Sequence, residues 1–100
     1  MGRLDKLCIF SNHVMDRMRE RKISKPDVKR ALKNGTIIEL CEESKPHKRC
    51  LVLGYLENGS PLHVVVAFVP DGLLILTTYE PTTDRWSNDF KTKVVNKRGM

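Results

Sequence analysis

The stretch ALKNGTIIELC, residues 31–41, decides the fold. Up to Asn34 the apolar residues recur at helical spacing, with Val28, Ala31 and Leu32 on one side. Asn34-Gly35 is a helix stop. From Thr36 onward the pattern is extended, and it stays extended to about residue 80. The chain therefore divides into a helical N-terminal third and a sheet-forming remainder.

Working back from residue 31, Ser24-Lys25-Pro26-Asp27 is a capping-box pattern that opens the second helix. Before it, SNHVMDRMRER (11–21) reads as a first helix. Ser11 or Asn12 is its cap, and Val14, Met15 and Met18 form its apolar stripe. KLCIF (6–10) is a short β-prone run ahead of that helix. Working forward, TIIELC (36–41), RCLVLGYL (49–56), LHVVVAFV (62–69) and LLILTTYE (73–80) are four strand candidates. Asn58-Gly59 and Pro70-Asp71-Gly72 turn between them. Pro81 ends the last strand, and residues 82–93 suit a short C-terminal helix with Trp86 and Phe90 one turn apart. These periods give an α+β fold, with two N-terminal helices on one face of a mainly antiparallel four- to five-stranded sheet. One hundred residues make a single domain, taken as 1–93 with a flexible tail over 94–100.

Composition narrows the setting. Forty per cent hydrophobic and thirty per cent charged residues describe a globular chain rather than a disordered one. No apolar run approaches the roughly 18 residues of a membrane span, and the N-terminus lacks a secretory pattern, so a cytoplasmic location is expected. Cys8, Cys41 and Cys50 are odd in number and irregular in spacing, which favours reduced thiols. Cys41, His47 and Cys50 lack zinc-site spacing, and no glycine-rich phosphate loop is present. No metal or cofactor is expected. The net charge of +6 is uneven: residues 1–35 carry ten Lys/Arg against four Asp/Glu, residues 36–82 three against six, and residues 83–100 five against two. Basic ends around an acidic middle suit an anionic partner such as nucleic acid.

Several side chains suit phosphodiester chemistry. His13, Arg17 and Arg21 recur every fourth residue and form one ridge of the first helix. A histidine beside an arginine supplies a proton acceptor and a cation for phosphate charge. The plain alternative is a solvated ridge, with Arg17 paired to Asp16 or Glu20. His63 lies early in an apolar strand. Counting back from Asp71-Gly72, a two-residue loop sets it opposite Glu80, and a loop one residue longer sets it opposite Tyr79. A hydrogen-bonded core role is favoured for His63 over a general base. Tyr79 and Arg85 close the set as phenol and phosphate clamp, against the plain roles of strand tyrosine and solvated arginine.

The order of motifs resembles a known prokaryotic family, domain of unknown function 4258. The likeness rests on His13-x-x-x-Arg17, the Cys-Leu-Val-Leu-Gly of Cys50 to Gly54, the Pro-Leu-His-Val-Val of Pro61 to Val65, and the Thr-Tyr-x-Pro of Thr78 to Pro81, over residues 11–90. The resemblance carries no established activity. The topology is distantly similar to the RelE-like toxin ribonucleases, which also place two helices before an antiparallel sheet. It implies a small RelE-like domain that binds or cleaves RNA, in its strongest form a toxin-type metal-independent endoribonuclease. An antitoxin-like protein is then a second candidate partner. His13, Arg17, Tyr79 and His63 are the catalytic candidates, and Arg21, Arg85, Thr78 and Glu80 the substrate-binding ones. The competing expectation is a non-catalytic module that binds nucleic acid or protein. The catalytic expectation needs His13, Arg17 and Tyr79 in one cleft; the binding expectation needs only a continuous basic surface.

Overall fold

A computed structural model describes residues 7–43, 45–83, 86 and 89–91. The elements run β1 (Cys8–Phe10), α1 (Asn12–Arg21), α2 (Lys25–Asn34), β2 (Thr36–Cys41), β3 (Arg49–Tyr55), β4 (Pro61–Val69) and β5 (Gly72–Tyr79). The strands form one five-stranded sheet in the order β1-β5-β4-β3-β2. The ladders β2–β3, β3–β4 and β4–β5 are antiparallel, while β1 pairs with β5 in parallel, so the sheet is mixed. The two helices separate β1 from the meander, and the first strand completes the edge left open beside the last.

Local chemistry fixes the helix ends. Ser11 Oγ accepts from the Val14 N–H at 3.1 Å and starts α1. Lys22, at φ 60°, ends it in a left-handed turn in which the Lys22 and Ile23 N–H groups return to Arg19 O and Met18 O. Ser24 and Asp27 exchange side-chain and backbone bonds at 2.9 and 3.2 Å, which is the expected capping box. These contacts hold the Asp27 carboxyl below its ordinary range, chiefly through the Ser24 backbone N–H.

The core lies between the helices and one sheet face. Val14 and Met18 of α1, Ile23, and Val28, Ala31 and Leu32 of α2 pack on Cys50, Val52, Leu62, Val64, Val66, Leu73 and Ile75. Gly54 lets α2 lie this close, because a Cβ there would fall 2.5 Å from the Ala31 Cβ. At the β3–β4 hairpin Gly59 takes φ +91°, and Leu56 N–H bonds Ser60 O across it. No described helix is long and apolar enough to cross a membrane.

Of the expected C-terminal helix over 82–93, residues 84–85, 87–88 and 92–93 lie outside the described residues, and none of the described ones is helical: Trp86 forms a strand-type bridge and its N–H reaches Thr82 O, Asp89 Oδ1 accepts from Lys91 N–H, and Phe90 has φ +58°. A side chain that bonds its own backbone two residues on competes with helical pairing. The β4–β5 register also arises differently. Pro70-Asp71 is the two-residue loop between Val69 and Gly72, and a bulge at Leu76 shifts the ladder by one. His63 thus faces Tyr79, and Glu80 lies exposed beyond the strand.

Candidate functional site

The helix layer carries most of the described positive charge. Residues 12–34 hold eight Lys/Arg against three Asp/Glu, a net +5. Seven of the eight are exposed, and Arg30 is half-buried. Lys25, Lys29 and Lys33 stand at i, i+4 and i+8 of α2, about 6 Å apart along its axis. The Lys25 ammonium lies 5.5 Å from the Phe10 ring centroid. Burial raises the Cys8 thiol above its ordinary value and the Lys29 charge partly offsets this. The lysine ridge therefore borders β1.

The expected His13-Arg17-Arg21 ridge has a mixed fate. His13 and Arg17 are exposed, and Arg17 lies 3.7 Å from Glu20 one turn on. Arg19, which lies off the ridge, pairs with Asp16 at 3.0 Å. Exposed pairs of this kind are worth under about 1 kcal/mol. Arg21 is different. Its Nη1 donates to the Thr78 carbonyl at 2.9 Å and fastens the end of α1 to β5.

On the opposite sheet face the structure gathers a second group. His63 has no solvent exposure. Its Nε2 lies 2.8 Å from Phe90 O and its Nδ1 3.3 Å from the Tyr79 hydroxyl. A carbonyl only accepts, so Nε2 carries the hydrogen, and Nδ1 accepts from Tyr79. The Trp86 ring meets the His63 ring edge-on at 4.5 Å. Burial pushes the His63 pKa below 6.5, against the opposing pull of Phe90 O and the Glu39 charge. A neutral, enclosed imidazole with both ring nitrogens in hydrogen bonds acts as a structural pin. It ties Trp86 and Phe90 to the sheet. Thr78 is also fully buried and donates to His63 O at 2.8 Å.

His63, Tyr79, Thr78 and Arg21 thus meet at one end of β4 and β5, while His13 and Arg17 stand on the helix layer. Strand alternation puts Tyr79 on the face away from the helices, so His13, Arg17 and Tyr79 do not line one cleft. Arg85 lies outside the described residues.

Beside the pin, the sheet face away from the helices opens into a groove of about 280 Å³ floored by Leu51 and Val65. Glu39, Arg49, Tyr79 and Trp86 border it. Sequence reading missed Glu39, Arg49 and the placement of Trp86. The signal was the alternation along 36–41 and 49–55, but it becomes legible only once the bulge after Ile37 sets the β2–β3 register. Cys41 and Cys50 project to opposite sheet faces, because Cys50 pairs with Leu40 and Cys41 with Arg49. Among the described residues no group of His, Cys, Asp and Glu is arranged to hold a metal.

Compared with known proteins, residues 10–80 match the family model described as Domain of unknown function (DUF4258). No curated protein and no solved structure matches the chain.

Proposed function

The chain belongs to the DUF4258 family, and from that premise we propose that it is an RNA-binding domain whose helix layer holds the phosphate backbone. The observation that carries this reading is the exposed net charge of +5 over residues 12–34, with Lys25, Lys29 and Lys33 in one line. Cations in such a row release condensed counterions on binding, which gives sequence-tolerant affinity that falls with salt. The binding expectation asks for a continuous basic surface, and the exposed lysines and arginines of α1 and α2 support that reading. The test is a salt titration of RNA binding by fluorescence anisotropy, with an acidic protein of equal size as the competing ligand. A steep linear fall of log affinity with log salt supports the reading. Salt-insensitive binding, or capture of the acidic protein with no RNA binding, overturns it.

A cleaving, RelE-like form of the reading is favoured by one observation. The Tyr79 hydroxyl is held by His63 beside a groove that also carries Glu39 and Arg49. In that form bond breaking belongs to Tyr79 and not to the His13–Arg17 ridge. Tyr79→Phe should then cut RNA cleavage by about a hundredfold, the scale for losing a positioned acid or base, while His13→Ala leaves it intact. The reverse pattern would return the chemistry to the ridge.

A further inference from the structure

The groove away from the helices contains two opposite charges that do not satisfy each other. Glu39 pairs across β2–β3 with Leu51, and Cys41 pairs with Arg49. Glu39 and Arg49 are therefore diagonal neighbours on one sheet face, roughly 7–8 Å apart at the backbone. Both are exposed, and among the described residues neither closes a hydrogen bond or an ion pair. Between them the floor is apolar, formed by Leu51 and Val65, and Trp86 and Tyr79 stand at the border. The volume of about 280 Å³ falls just below the roughly 300–1,000 Å³ of pockets for drug-sized ligands. It accommodates one flat ring system.

We propose that this groove binds a guanine base, with the Glu39 carboxylate and the Arg49 guanidinium on its two polar edges. Both groups are two-pronged: a carboxylate accepts two hydrogen bonds side by side, and a guanidinium donates two in a fixed fork. Guanine alone among the common bases presents two adjacent N–H donors, at N1 and N2, next to two adjacent acceptors, O6 and N7. Adenine and uracil alternate donor and acceptor, and cytosine has two adjacent acceptors (N3 and O2) but a single donor group, so each leaves one prong of Glu39 or Arg49 unpaired. Leu51, Val65 and the aromatic border supply the apolar contact that a planar ring requires. Glu39 and Arg49 discriminate between bases; neither has a chemical step.

The proposal is independent of the helix-layer reading, because the groove opens on the other side of the sheet. The chain has a single tryptophan, Trp86, and it borders the groove, so intrinsic fluorescence reports occupancy. The experiment titrates guanosine, adenosine, cytidine and uridine monophosphates into wild type, Glu39→Gln and Arg49→Lys, with a thermal melt of each protein. The shared phosphate cancels between ligands. The expected result is quenching by the guanosine nucleotide at least about tenfold tighter than by the others, the scale of a bidentate base contact. Glu39→Gln should lose that preference and Arg49→Lys should weaken it, both with unchanged melts, since both side chains are exposed. Equal quenching by all four nucleotides, no quenching at millimolar ligand, or an unaffected Glu39→Gln variant each overturns the proposal. A uridine oligomer with one central guanosine, against its adenosine counterpart, distinguishes a base presented by RNA from a free nucleotide. Substituting Lys25, Lys29 and Lys33 leaves the mononucleotide titration unchanged, so this claim and the RNA reading fail separately.

Discussion

His63→Ala tests the pin that holds Trp86 and Phe90 on the sheet. The side chain is fully buried, so truncation opens a cavity that its neighbours fill only in part. It also deletes the 2.8 Å bond to Phe90 O and the longer 3.3 Å bond from Tyr79. Loss of the ring contributes about 2–3 kcal/mol and the two bonds about 1 kcal/mol each, the longer one less, for a total of about 3–5 kcal/mol. In a 100-residue domain that lowers the melting temperature by roughly 12 °C or more. His63→Phe keeps a ring and loses only the bonds, so it should cost about 2 kcal/mol. The assay is guanidinium unfolding followed by the fluorescence of Trp86, whose ring is 4.5 Å from that of His63. Acid adds a second arm. The unfolded chain takes up a proton on this imidazole near 6.5, before the folded chain does, because burial lowers the folded pKa. The stabilisation is complete above 6.5 and erodes as pH falls below it, and His63→Phe should lack that part of the slope. Equal midpoints for His63→Ala and wild type, or identical pH slopes for His63→Phe and wild type, would refute the pin.

Other expectations follow from the same contacts. Gly54→Ala sets a Cβ 2.5 Å from the Ala31 Cβ and should cost about 3 kcal/mol. Ala31→Gly in the same chain should restore part of that, as a denaturation double-mutant cycle would show. The Cys50 thiol is 3% exposed and is pushed by burial up to about 11. Iodoacetamide at mildly alkaline pH should therefore label exposed Cys41 first, Cys8 more slowly, and Cys50 only on unfolding, as read by peptide mass mapping.

The parts of this molecule that were legible in its sequence are those with local causes. Ser24 and Asp27 close a capping box within one turn, and Gly59 turns a hairpin through its own φ, so residue identity suffices. The period change after Gly35 likewise placed every strand of the meander to within a residue at most positions. What was not legible depends on distant pairings. Nothing near Cys8–Phe10 shows that it will run parallel to β5, some sixty residues on. The bulge at Leu76 sets His63 opposite Tyr79, whereas counting from the turn alone left two registers open. The candidate ridge was legible as a helical face, but its separation from Tyr79 follows from which sheet face each strand residue takes. Glu39 and Arg49 lie ten residues apart in the chain, and only the β2–β3 ladder makes them neighbours on one face.

The most direct test of the account replaces Lys25, Lys29 and Lys33 together by Gln and measures RNA affinity across a salt series beside wild type. All three are exposed, so the variant should melt like wild type. If these lysines hold single-stranded phosphates, the slope of log affinity against log salt becomes shallower by about 2, and affinity at low salt falls by more than tenfold. Unchanged affinity and an unchanged slope in a folded triple variant would contradict the claim that the helix layer is the RNA-binding surface.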